Sequence, residues 1–260
     1  MEKADTLVEL LRRMNSGQDV EGAKQEARDL LSEMSAEELS RAEERLDEEN
    51  ISPEDMESLC EVHMKMSEEQ KEDMDVPPGH MVHTLVSEHD HILGFLDELE
   101  EVNEKIQRMD EYRPGRDEFA RLRNVAAHLV DSEPHHDREE EVLFPELEER
   151  GVTGPPNVMR MEHEQLRPQK HRLEDLAETV GEMDFSEFKR QLETAVEFIV
   201  PTLRDHIYKE NNILYPTAVR LIDDDELWEK MRHDADEVGY CCFTPSAEGE
   251  DSGHSETTDQ

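Results

Sequence analysis

The sequence predicts an all-α protein, a bundle of four long helices preceded by a small helical domain. Three observations carry that reading. Helix formers (Glu, Leu, Arg and Ala) run the whole length of the 260 residues, aromatic residues make up only 5%, and few segments alternate apolar and polar residues as a half-buried strand does. Apolar residues recur at three-four spacing over four long stretches, the face a helix turns to a core. One pattern also occurs twice. His135-His136-Asp137-Arg138-Glu139 leads to Phe144-Pro145, and His206-Ile207-Tyr208-Lys209-Glu210 leads to Tyr215-Pro216 at the same offsets. Upstream of each stands a Glu-His pair, Glu88-His89 and Glu162-His163.

Residues 1–75 read as several short helices. Ser35 precedes Glu38, and Ser52 precedes Asp55 with Pro53 between them; both have the spacing of a capping box, and the proline takes the first helical position. Val76-Pro77-Pro78-Gly79 marks the boundary, because prolines remove donors and disfavour a continuing helix. The bundle spans 80–222. Its first helix, about 81–111, carries Val82, Leu85, Val86, His89, Leu93 and Leu96 on one stripe and ends at Arg113-Pro114-Gly115. The second, about 116–150, runs Leu122, Val125, Leu129, His135, Glu139, Leu143 to Gly151. Pro134 either kinks it or opens a new segment capped by Ser132. The third follows Gly154-Pro155-Pro156, carries Met159, His163 and Leu166, and ends near Gly181. The fourth, about 185–222, has Leu192, Val196, Ile199, Leu203, His206, Glu210 and Ile213 in unbroken register, with a bend expected at Pro201. A short helix around Trp228 and a loop fill 223–243, and the polar, Gly/Ser-rich residues 244–260 read as a disordered acidic tail.

The formal charge is −41, from 69 acidic against 28 basic residues spread along the chain. Phosphate binding needs a basic face, so nucleic acid is excluded as a partner, and an anionic membrane surface with it. Such a surface is tolerable and well hydrated in a cytoplasm of very high salt, and arginine outnumbers lysine 19 to 9; a halophilic source is expected. Three cysteines, Cys60 and the adjacent Cys241 and Cys242, make no disulfide framework and fit a reducing compartment. The first residues form no apolar signal segment, and no apolar run approaches the roughly 18 residues of a membrane span. A soluble cytoplasmic protein is expected.

Each bundle stripe is interrupted by a ligand-type residue. A polar group in such a slot costs about 2–7 kcal/mol when unpaired, and more for a carboxylate; a bound cation offsets that cost. Histidine and glutamate four residues apart share a helical face. Two such pairs and two further histidines offer four nitrogens and two carboxylates able to bridge, the donors of a dinuclear centre. Imidazole with carboxylate suits iron, manganese or zinc, and a bridged pair without thiolate favours non-haem iron. Because Pro134 leaves the helical phase open, His136 and Glu140 are alternatives to His135 and Glu139, which the repeat favours. His91 and His128 read as surface or supporting groups, and His80 and His83 as caps of the bundle. Cys60 and His63 share a helical face and form a second metal-type pair, against the plainer reading of a half-buried cysteine beside a surface histidine. Neither a phosphate loop nor a serine or cysteine triad is legible, so no catalytic residue is named.

The order EH, HxxxE…FP, EH, HxxxE…YP resembles the hemerythrin-like (HHE cation-binding) family. The flanking PPGHMVHTL, LEERGVTGPPNVM, KENNILYP and DEVGYC resemble its subgroup with an N-terminal DUF438 domain, which residues 1–75 fit. The resemblance implies an up-down four-helix bundle holding a di-iron centre, two non-haem iron ions, with His89, His135, Glu139, His163, His206 and Glu210 as metal ligands. Oxygen-carrying members place a second histidine four residues after the third-helix one; here that position is Arg167. This departure argues against reversible dioxygen carriage and leaves nitric oxide, peroxide or iron exchange. The resemblance thus implies a protein that senses, scavenges or handles oxygen (O2), nitric oxide (NO) or iron; a protein partner bound by the N-terminal domain belongs to the scaffold alternative below. Two alternatives stand beside it: a di-iron oxidoreductase (ferroxidase, peroxidase or nitric oxide reductase), and a redox-inert zinc or metal-free helical scaffold.

Overall fold

The computed structural model describes residues 76–244 and, ahead of them, Thr6, Leu7, Glu9, Leu10, Arg13, Gly22, Ala23, Glu26, Ala27 and Leu30. The expected caps at Ser35 and Ser52, the Cys60–His63 pair and the tail after Thr244 lie outside the described residues. All regular structure among the described residues is helical.

Helix α1 (Met81–Gln107) starts where Pro77-Pro78-Gly79 ends the linker. Gly79 takes φ +89°, a backbone open to glycine, and His80 caps the helix by accepting the Val82 N–H at 3.2 Å, as expected of a linker histidine. The second arm is not one helix. It is α2 (Asp117–Val130), α3 (Glu133–Arg138) and α4 (Phe144–Glu149), with a π-helical turn over Glu139–Leu143. The chain does restart at Pro134, but Ser132 does not cap it. Its hydroxyl donates back to the Leu129 carbonyl (2.6 Å) and accepts from Lys170 Nζ (3.0 Å). The third arm is α5 (Gly154–Glu178), with Pro155 and Pro156 inside its first turn, where their missing N–H groups cost nothing, and Pro168 in its interior. The fourth is α6 (Phe185–Lys209), a π-helical turn over Glu210–Leu214, and α7 (Tyr215–Leu221). Asp184 caps α6 by accepting from the Ser186 and Glu187 N–H groups. Pro201 lies inside α6, which runs on to Lys209; the break in this arm comes at Glu210. Helix α8 (Asp225–Val238) lies against α1 and α3.

Helix α2 packs between α1 and α5, and α6 packs between α5 and α1, closing an up-down four-helix bundle. Its interior is layered. One apolar core holds Ile92 to Ile106 of α1, Leu122 to Leu129 of α2, Leu166 to Ala177 of α5 and Leu192 to Leu203 of α6. A second holds Met81, Val82 and Leu85, then Leu143, Phe144, Met159, Leu214, Tyr215 and Trp228. The residues between the two on every arm are polar: His89, His135, Glu139, His163, His206 and Glu210, each exposed by 1% or less.

The two π turns explain the aromatic-proline signature. The Phe144 N–H bonds to the Glu139 carbonyl and the Tyr215 N–H to the Glu210 carbonyl, one residue wider than an α-helical bond. A proline ring inside an α-helix clashes with the carbonyl four residues back. Widening the turn just before Pro145 and Pro216 relieves that clash. Single π turns of this kind recur at functional sites, and here each begins on the glutamate of an H-x-x-x-E block.

Candidate metal centre

The polar layer is built from four inward-facing imidazoles whose outer nitrogens are all held. His135 Nδ1 bonds Glu88 Oε2, His206 Nδ1 bonds Glu162 Oε2 and His163 Nδ1 bonds Glu140 Oε1, each at 2.7 Å, while His89 Nδ1 bonds Asn211 Oδ1 at 2.9 Å. A carboxylate only accepts, so the ring nitrogen facing it carries the proton and the other nitrogen is left with its lone pair. These partners therefore aim Nε2 lone pairs at the centre. The Nε2 atoms of His89 and His135 stand 3.0 Å apart, as do those of His163 and His206. Burial keeps His135 neutral by lowering its pKa to about 4, and its Nε2 lone pair faces the His89 Nε2 across 3.0 Å. A cation between them would take both nitrogens as donors.

Each supporting glutamate on α1 and α5 serves the histidine of another arm, and each is itself tied to a buried cation. Glu88 takes both its oxygens to Arg138 Nη2 at 2.6 Å and accepts from Thr244 Oγ1. Glu162 pairs with Lys209, which also reaches Asp205 at 3.0 Å. Burial alone would raise the Glu88 pKa; the hydrogen bond with His135 and the Arg138 charge outweigh it and hold it at about 2. Carboxylate–histidine pairs of this kind fix the tautomer and orientation of metal-binding rings and raise their basicity.

The two central carboxylates lack what the outer ones have. Glu139 Oε2 and both oxygens of Glu210 are buried without a hydrogen-bond partner. Yet Glu210 lies 2.8 Å from His206 Nε2 and 3.0 Å from His89 Nε2. Close nitrogen–oxygen approach without hydrogen-bond geometry is what a shared cation produces. Burial and the neighbouring Glu210 charge push the Glu139 pKa well up. Burial pulls His206 down, but the Glu210 charge and the Glu162 hydrogen bond overcome it and bring it to about 9. In both cases the carboxylates draw a positive charge into the layer, as unpaired buried anions must. Two groups of donors converge within 4.8 Å: Glu139, His163, His206 and Glu210 in one, His89, His135 and Glu210 in the other. The donor set therefore fits metal binding, with Glu210 common to both groups.

The six residues singled out by the repeat meet in one layer. Of the alternatives left open by Pro134, Glu140 turns outward to His163 Nδ1. His136 is buried and stacks on His163, ring centroids 4.0 Å apart, close enough to form a further nitrogen group with His163 and His206. Arg167 points away from the Nε2 cluster. Its guanidinium binds Glu133 at 2.7 Å and Glu140 at 2.8 Å, bracing the carboxylate behind His163. His91 is exposed and His128 half-buried, its Nδ1 against the Asn124 carbonyl. Sequence reasoning did not assign Glu88, Glu162, Arg138, Lys209, Asn211 or Tyr215. The Glu-His pairs were visible as a repeat, but the service each glutamate gives to a different arm was not.

The family model of the hemerythrin HHE cation binding domain matches residues 80–218, and that of a family of unknown function, DUF438, matches residues 7–72. The chain is similar to the iron-sulfur cluster repair protein YtfE of Dickeya chrysanthemi (strain Ech1591), with 30% identity over 149 residues, 54% of this chain and 65% of the relative. It is likewise similar to the protein of that name from Yersinia pseudotuberculosis serotype IB (strain PB1/+), with 31% identity over 139 residues, 51% of this chain and 61% of the relative. The chain thus spans under two thirds of the length of the curated relatives it matches.

Proposed function

The chain belongs to the hemerythrin HHE cation-binding family, and from that premise we propose that it is a non-haem di-iron protein that handles iron, with repair of iron–sulfur clusters, the role its relatives are named for, as its task. One observation carries this reading: four imidazoles and two buried carboxylates converge in one layer, with Glu139 Oε2 and both Glu210 oxygens lacking a hydrogen bond. His89 and His135 would hold one ion, His163 and His206 the other, with Glu210 common to both and Glu139 joining the second. Bound iron supplies redox and Lewis-acid chemistry, to which oxygen and nitric oxide are the natural small ligands. The chain's own residues do the rest. Glu88, Glu140, Glu162 and Asn211 fix the ring orientations, Arg138 and Lys209 neutralise the carboxylates behind them, and the two apolar cores keep bulk water from the layer.

A di-iron oxidoreductase is the second reading, favoured by the buried Tyr215 phenol at the centre, a group able to hold a proton there. Catalytic turnover against stoichiometric iron transfer separates the two. The ligand assignment is tested by the double variant His206→Ala/Glu210→Ala, which is expected to lose iron while keeping its helical content. Full iron occupancy in that variant would overturn the assignment.

No helix among the described residues is long and apolar enough to cross a membrane.

A further inference from the structure

Four imidazoles of the layer share one construction, and a fifth has most of it. His89, His135, His163 and His206 each turn Nδ1 outward to a fixed acceptor, at 2.7 Å for three and 2.9 Å for His89, and Nε2 inward. His136 also has its Nδ1 toward a carboxylate, Glu133 Oε2, but at 3.6 Å. That is too long for a hydrogen bond, and the nitrogen is buried without a hydrogen-bond partner. Glu133 is anchored as the other outer carboxylates are. It pairs with the buried Lys170 at 2.6 Å and with Arg167 at 2.7 Å, as Glu88 pairs with Arg138 and Glu162 with Lys209.

Packing does not ask for histidine at this place. The other half of the repeat has Ile207 there, beside His206 and equally buried. A buried polar atom left without a hydrogen bond costs about 1–3 kcal/mol, so an apolar side chain would fill the slot more cheaply. What the imidazole adds is a nitrogen in the right neighbourhood. One donor atom of His136 lies within 4.8 Å of donor nitrogens of both His163 and His206. Two ligands on opposite sides of one cation stand about 4 Å apart when each bond is about 2.1 Å, as for zinc and imidazole. The same two histidines also converge with Glu139 and Glu210, so a nitrogen from His136 would be the third at that position.

We propose, on the di-metal reading above, that His136 is a fifth imidazole ligand, joining His163 and His206 on one ion, with Glu133 as the carboxylate behind it. The His136 and His163 rings stack with centroids 4.0 Å apart and planes inclined by 16°. Rings so nearly parallel cannot both point an in-plane lone pair at one ion, so ligation takes His136 off the stack. Closing the 3.6 Å gap to Glu133 then fixes the tautomer with the proton outward, which leaves Nε2 free to bind.

The test is the proton magnetic resonance spectrum, in water, of the metal-stripped full chain loaded with cobalt(II). An imidazole bound through one nitrogen keeps an exchangeable proton on the other, and the paramagnetic ion shifts that signal far outside the ordinary range. Five such signals are expected from the wild-type chain. Four are expected from His136→Phe, which keeps a ring for the stack but has no nitrogen, and its cobalt affinity should fall about tenfold or more in competition with a chelator. Glu133→Gln keeps the imidazole and removes the charge behind it. It should lower cobalt affinity about tenfold and lose most of that effect in the His136→Phe background. The wild-type count needs no variant, so the inference stays testable if His136→Phe folds poorly. Four signals in the wild-type chain, or a count that His136→Phe does not change, would overturn the fifth ligand and leave the di-metal reading standing. A wild-type chain that binds one cobalt or none would overturn the di-metal reading itself.

Discussion

Glu88 and Glu162 do the same work for their histidines, yet replacing them should have different consequences for the fold. Glu88→Gln leaves Arg138 fully buried with its carboxylate gone. The remaining contacts of that guanidinium are the Pro134 carbonyl at 2.9 Å, the Cys241 sulfur at 3.9 Å and the face of the Tyr240 ring, 4.6 Å from its centroid, and its Nη1 has no hydrogen-bond partner even in the wild-type structure. Breaking a buried ion pair by removing one member costs about 3–5 kcal/mol, because the other charge stays uncompensated. Glu162→Gln is milder. The Glu162 side chain is 16% exposed, and Lys209 keeps Asp205 at 3.0 Å; the loss is that of one charged hydrogen bond, about 1.5–3 kcal/mol at most. Both variants should weaken metal binding about 10–100-fold, since each removes the carboxylate behind a ligating imidazole. Urea unfolding of the metal-stripped chains, followed by circular dichroism in matched salt, reads the stability difference. The pH dependence supplies a second check. The Glu88 carboxyl is held at about 2 against an ordinary 4.5, so its contribution is complete above pH 4.5 and is lost as pH falls toward 2. The gap between wild type and Glu88→Gln should therefore close over that window. Equal destabilisation by the two substitutions, or a gap that persists at the acid end, would refute the assignment of Glu88 and Arg138 as a buried pair.

Two further predictions concern residues outside the layer. Burial and the Glu88 charge push the Cys241 thiol up to about 12, while Cys242 is exposed; iodoacetamide should label Cys242 before Cys241 in the native chain, and slow Cys241 labelling should quicken with each step up in pH, as peptide mass spectrometry can follow. Prior labelling of Cys241 near neutral pH would contradict this. Arg167→Met removes the brace on Glu140 and should lower metal affinity about tenfold, read by chelator competition; unchanged affinity would make Arg167 a surface ion pair only.

The sequence made the inner residues legible because His206 and Glu210 stand in an otherwise unbroken apolar stripe and recur as His135 and Glu139. A polar residue at a core position asks for a partner, and four such helices answer one another. The outer shell was not legible for a topological reason. Glu88 serves His135 and Glu162 serves His206, so each bond joins two arms, and spacing along one helix says nothing about it. The proline after each aromatic was visible as an offset, but its meaning, a widened turn at Glu139 and at Glu210, depends on how the chain relieves a clash. Pro134 resets the helical phase, and for that reason His136 and His135 could not be separated by counting; in the structure both are buried, one aimed at the layer and the other stacked on His163. Arg167 stood out as a departure from the pattern, while its real contacts, Glu133 and Glu140, lie on a different arm.

We propose that this layer exists to hold two iron ions. Metal analysis of the chain purified without oxygen, with visible absorption recorded before and after exposure to air and to nitric oxide, tests it most directly. Two irons per chain are expected, with new visible bands on exposure to at least one of the gases. Zinc in place of iron, or a metal-free chain with its helices intact, would contradict it.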